Sequence, residues 1–133
     1  MKKKTYTPRE ANRILPRVRR LVGQIVELVA LLPDLQDQSR IAEYEFHRPR
    51  ASEDDAIRVE ETLSAVRSAE ADLAEAVQEL DDLGIRLKDA RIGLVDFLAY
   101  REEELVELCW KLGEDEVRHW HRLGEGYPGR KPL

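Results

Sequence analysis

The chain has 133 residues, of which 37% are charged, 6% aromatic and 42% hydrophobic, with a net charge of −5. That length fits one domain, and the composition suits amphipathic helices better than an aromatic-rich β-sandwich. The single cysteine, Cys109, excludes an intrachain disulfide and fits a reducing cytosol. The basic start is followed by Pro8, Arg9 and Glu10 where a signal peptide needs an apolar core, and the longest apolar run, Leu28 to Leu32, falls far short of the ~20 residues that cross a bilayer. The expectation is a cytoplasmic protein without a membrane span.

Thr7-Pro8-Arg9-Glu10 reads as a helix start, with Thr7 as cap, Pro8 in the first helical position and Glu10 completing a capping box. Pro16 lacks a backbone donor, so the reading is a short helix from Pro8 to about Ile14 and a long one restarting near Pro16. Val18, Leu21, Val22, Ile25, Leu28, Val29, Leu32 and Leu35 alternate spacings of three and four, the mark of a helix buried along a stripe. Pro33 predicts a kink. His47 to Ala51 reads as a linker. Ser52 caps a second long helix that carries Glu53, Asp54 and Asp55 in its first turn, where the dipole favours acids, and that ends at Gly84.

From Ile85 the period changes to that of strands: Ile85 to Lys88, Leu94 to Tyr100 and Leu105 to Leu112. Pairing the last two about Glu102-Glu103 sets Val95 opposite Trp110, Phe97 opposite Leu108 and Ala99 opposite Val106. Those pairs are all apolar on one face, and a slip of one residue would mix the faces. Glu114-Asp115-Glu116 is read as opening a short helix to about Leu123, before a Gly- and Pro-rich tail. The predicted fold is mainly α, in the α+β sense. It is a long antiparallel helical hairpin with a small antiparallel β-meander and a short C-terminal helix. A single domain over 1–133 then holds a short helix in 1–15, the hairpin in 16–83, and the meander, short helix and irregular tail in 84–133.

Leu108-Cys109-Trp110-Lys111-Leu112-Gly113-Glu114, then Trp120-His121, then Gly126-Tyr127-Pro128-Gly129-Arg130-Lys131-Pro132-Leu133 resemble the ending of a prokaryotic family called domain of unknown function 2203. Gly93 to Phe97 and Tyr6 to Asn12 fit the same pattern, so the resemblance spans almost the whole chain. It departs at Glu102-Glu103, where an Asp-Gly type of turn is expected, and at His119, where an aromatic is expected. The resemblance implies no activity. A cell-division label carried by some members is given little weight.

Residues 1–20 hold eight basic side chains against Glu10 alone, and residues 53–82 hold eleven acids against Arg58 and Arg67. Folding the two helices into an antiparallel hairpin sets Arg17, Arg19 and Arg20 near Glu79, Asp81 and Asp82. The bases are then neutralised internally and nucleic acid is not the expected partner. Lys2, Lys3 and Lys4 read as a solvated tail.

Three groups carry chemistry. In the hairpin register Asp96 and Cys109 are opposite one another, and His121 could fold back over them. A carboxylate, a thiolate and an imidazole make three ligands of a metal site, zinc being the candidate, or a cysteine nucleophile with its base. The plainer reading is a buried thiol beside two satisfied hydrogen-bonding groups. Arg130 and Lys131 are candidates for holding an anion, or for capping acidic helix ends. His119 is expected to be exposed, since on a helix it would diverge from His121. No catalytic residue is assigned. The first long helix is apolar on several sides, so Val22, Ile25, Val26, Val29 and Leu32 are expected to form a homodimer interface. The leading expectation is an oligomerising interaction or scaffold protein, with room for a protein partner. The alternative is a small metal-dependent or cysteine enzyme built on Asp96, Cys109 and His121.

Overall fold

The computed structural model describes residues 4–133; Lys2 and Lys3 lie outside them. Helix α1 runs from Pro8 to Phe46 and helix α2 from Glu53 to Asp82. Strands β1 (Ile85–Asp89), β2 (Leu94–Arg101), β3 (Glu104–Lys111), β4 (His119–Arg122) and β5 (Lys131–Pro132) follow. They form one antiparallel sheet in the order β1-β2-β3-β4-β5. The architecture is α+β, with the two helices antiparallel neighbours and the sheet packed against the N-terminal part of α1 and the C-terminal end of α2, away from the connection between the helices.

Both helix starts follow the capping logic of the sequence. Glu10 N donates to Thr7 Oγ1 and Thr7 N donates to Glu10 Oε1, each at 3.1 Å, and Ser52 and Asp55 repeat the exchange for α2. The expected break at Pro16 is corrected: α1 passes unbroken through Pro16 and Pro33. Both prolines are exposed. Meanwhile Ala11, Leu15 and Val18, on either side of Pro16, are buried on the opposite face. Burial of that face outweighs the loss of one hydrogen bond.

The core lies between α1 and one face of the sheet. Val18, Val22 and Ile25 of α1 meet Val95, Phe97 and Ala99 of β2 and Leu108 and Trp110 of β3. Every predicted β2–β3 pair is found, from Val95 opposite Trp110 to Arg101 opposite Glu104. Glu102 and Glu103 occupy the turn with φ of 50° and 69°, left-handed conformations that side chains other than Gly, Asn and Asp adopt at a cost. Gly93 (φ 73°), just before β2, sits close against α1. A Cβ there would stand 2.7 Å from Leu112 Cβ and 2.8 Å from Val22 Cγ1.

The predicted C-terminal helix is a second correction. His119–Arg122 is a strand, Leu112 and Gly113 form a turn closed by the Glu114 N–H on the Lys111 carbonyl at 3.0 Å, Glu114 to Glu116 are irregular, and helix survives only as a 3-10 turn over Tyr127–Gly129. Contacts remote in sequence decide this. Asn12 of α1 receives the Val117 N–H at 2.7 Å and donates to its carbonyl at 3.3 Å. The segment after it then pairs along β3, with His119 opposite Cys109 and Trp120 opposite Leu108.

The charge reading holds in part. Arg17 pairs with Glu79 at 3.6 Å. Arg19, in contrast, turns to the Asp115 carbonyl at 3.0 Å instead of the acidic end of α2, and Arg20 is exposed. Lys4 is exposed, with its ammonium 5.3 Å from the Tyr6 ring centroid.

Candidate functional site

Strand periodicity places the polar trio. In β2 and β3, Val95, Phe97, Ala99, Val106, Leu108 and Trp110 face the helices, so Asp96 and Cys109, one residue out of phase, face the other way. They are direct partners across the β2–β3 ladder. His121 stands on β4, opposite Glu107 of β3, and its imidazole crosses the small Cys109 side chain's strand to reach Asp96. His121 Nε2 lies 3.1 Å from Asp96 Oδ1, and Nδ1 lies 2.9 Å from the Arg122 carbonyl. The donor atoms of Asp96, Cys109 and His121 all fall within 4.8 Å of one another. Exposures of 2%, 0% and 1% show how deeply the trio is covered.

Charged side chains surround it. Lys88 of β1 brings its ammonium to 3.6 Å from Asp96 Oδ2. Arg130, from the tail, reaches 3.9 Å from Cys109 Sγ and grips Glu114 with both terminal nitrogens, at 3.0 and 2.5 Å. Glu114 also accepts the Lys111 N–H at 2.8 Å and faces His119 at 3.9 Å. Burial pushes the Cys109 thiol up to about 11, the Asp96 charge adds to that, and the Arg130 guanidinium opposes it. For Glu114 burial pushes the carboxyl up, but Arg130 and the Lys111 N–H outweigh it and hold the group below its ordinary value. Glu114 in turn raises the Arg130 guanidinium.

The family model of the uncharacterized conserved protein DUF2203 matches residues 4–133. The chain belongs to that family. No curated protein and no solved structure matches it. The segments of the DUF2203 chain that carried the resemblance, 93–97, 108–114, 120–121 and 126–133, converge in space. They supply Asp96, Cys109, Glu114, His121 and Arg130, leaving Lys88 and His119 as the network's members from outside them.

Other expected sites move. Arg130 and Lys131 hold anions that belong to the chain itself. Arg130 holds Glu114, and Lys131 holds Glu125 at 3.0 Å. His119 is extended and half-buried, not on an exposed helical face. Val22 and Ile25 have no exposed surface in the single chain and belong to its own core, because the sheet covers α1 as far as Ile25. Sequence reasoning missed Lys88 and Glu114. Strand alternation from Arg86 to Asp96 could have placed Lys88 on the Asp96 side. No local signal marks Glu114, since its position depends on a turn closed by Arg130.

Proposed function

We propose that the chain is a non-enzymatic interaction protein of the cytosol. In this reading it forms a homodimer through the arm of its helical hairpin, two hairpins packing about a two-fold axis as a four-helix bundle. The observation that carries this is the change in cover along α1. As far as Ile25 its apolar side is sealed by the sheet. Beyond it Val26, Val29 and Leu32 are only half-buried, and Val26, Val29, Ala30 and Pro33 line an open apolar groove with Arg91 at its edge. Farther out Ile41, Tyr44, Ile57 and Leu63 are exposed. A helix apolar on more than one side requires another neighbour, and a second copy supplies the same surface in the commonest closed symmetry. The α1 arm beyond Ile25 is about 30 Å long. Laid against its copy it buries on the order of 1,000 Å², the lower bound for specific association.

Light scattering on the purified chain tests this. The expected mass at micromolar concentration is that of two chains, and Val29→Lys is expected to give folded monomers. A monodisperse mass of one chain for the unaltered protein overturns the reading.

The alternative of a cysteine enzyme finds no support in the geometry. A nucleophilic cysteine needs a lowered thiol pKa and access to substrate, whereas Cys109 is fully buried and its thiol is raised. His121 also directs Nε2 to Asp96 at 3.1 Å, which leaves it no direct role as a base for the thiol.

A further inference from the structure

We propose that Asp96, Cys109 and His121 bind one divalent metal ion of the zinc class, which clamps β2, β3 and β4 together on the face of the sheet turned away from the helices. The site is independent of self-association through the arm. Metal–ligand bonds of about 2.0–2.3 Å in a tetrahedral zinc site set ligand–ligand separations of roughly 3.3–3.6 Å. The His121–Asp96 separation of 3.1 Å is already on that scale, and no pair of donors exceeds 4.8 Å. Small side-chain shifts, without backbone rearrangement, close the site.

Two observations point to a cation and not to a settled polar cluster. The Arg122 carbonyl, 2.9 Å from Nδ1, can only accept, so Nδ1 carries hydrogen and Nε2, turned toward Asp96 and within 4.8 Å of Cys109 Sγ, is the atom available to a metal. Metal-binding histidines are oriented by this kind of contact on the far nitrogen. In addition, Asp96 Oδ2 is buried without a hydrogen-bond partner, the Lys88 ammonium standing 3.6 Å away at ion-pair but not hydrogen-bond distance, so a lone pair of a buried carboxylate is left without a bond.

The donor set selects the metal. One sulfur, one nitrogen and one oxygen suit zinc and its neighbours, whereas calcium and magnesium take oxygen ligands. Two anionic donors and one neutral imidazole balance a divalent charge. Binding forms metal–sulfur, metal–nitrogen and metal–oxygen bonds. It releases to solvent the Cys109 thiol proton and the proton held between His121 and Asp96, and nothing is oxidised or reduced. Lys88 and Arg130, both cationic, limit the affinity.

Titration of the reduced, full-length chain with cobalt(II) tests the site, because a thiolate bound to cobalt gives a sulfur-to-metal charge-transfer band. The expected result is one equivalent per chain with that band, displaced by zinc. Cys109→Ser is expected to abolish the band, and His121→Ala to weaken binding tenfold or more. Should those variants unfold, Lys88→Met provides a second reading at the partly exposed rim. Loss of that positive charge is expected to tighten cobalt binding several-fold at low salt. Absence of the band at millimolar cobalt, its persistence in Cys109→Ser, or an affinity not increased by Lys88→Met overturns the proposal.

Discussion

The sheet end of the molecule and the free arm of the hairpin are built from similar residues but held differently. At the sheet end α1 is fastened by groups far away in sequence. The Tyr6 N–H donates to the Leu98 carbonyl at 2.7 Å, the Tyr6 hydroxyl to the Leu83 carbonyl at 2.5 Å, and Asn12 holds Val117. In the arm the two helices have only each other. Ala42, Val66 and Ala69 are its buried apolar positions, while larger side chains such as Leu63 remain exposed. Apolar periodicity is the same in both regions. What differs is how many surfaces meet there, and that difference divides the molecule into an end sealed by the sheet and an end where the two helices pack only on each other.

The comparison can be tested by truncation. Trp110 is fully buried and donates its indole N–H to the Glu114 carbonyl at 3.0 Å. Trp110→Ala is expected to cost about 3–5 kcal/mol in urea unfolding. A cost similar to that of an arm truncation would break the distinction.

Alkaline titration probes the outer face of the same sheet. The folded Cys109 thiol is raised from 9.0 to about 11, so its contribution is fully present below the unfolded value and is lost as pH rises through the folded one. In that window the unfolded chain binds fewer protons than the folded chain, and stability falls with pH. That rise corresponds to about 3 kcal/mol. Unfolding curves between these pH values are expected to fall more steeply for the unaltered chain than for Cys109→Ala. Equal slopes would remove the burial argument.

The β2–β3 turn offers a gain. Replacing Glu102-Glu103 with Asn-Gly relieves two left-handed glutamates and is expected to raise stability by about 1–2 kcal/mol, read as a higher urea midpoint. The smallest effect belongs to the arm. Leu63→Ala, at a position 37% exposed, is expected to cost about 1 kcal/mol or less in the stability of the single chain. A larger cost would show that the arm is sealed more tightly than its exposure implies.

Much was legible in local pattern. Thr7, Pro8 and Glu10, and likewise Ser52 and Asp55, mark helix starts because a cap satisfies donors within one turn of itself. The β2–β3 register follows from alternation, because one slip exposes every apolar side chain. The pairing of Asp96 with Cys109 came with that register. His121 was harder. Its neighbours read as a helix opened by acids, and its extended conformation depends on Asn12, more than a hundred residues earlier, and on the free edge of β3.

Local pattern alone specifies two capped helices, a strand hairpin in one register and a polar pair on the hairpin's outer face, since each depends on spacing within a few turns or one tight reversal. Tertiary structure decided the rest. It carried α1 through Pro16, made 119–122 a strand, enclosed Val22 and Ile25, turned Arg130 onto Glu114, and brought His121 to Asp96. Each of those outcomes is a competition between a local preference and burial supplied by a distant element, and such a competition is settled only once both elements are in place.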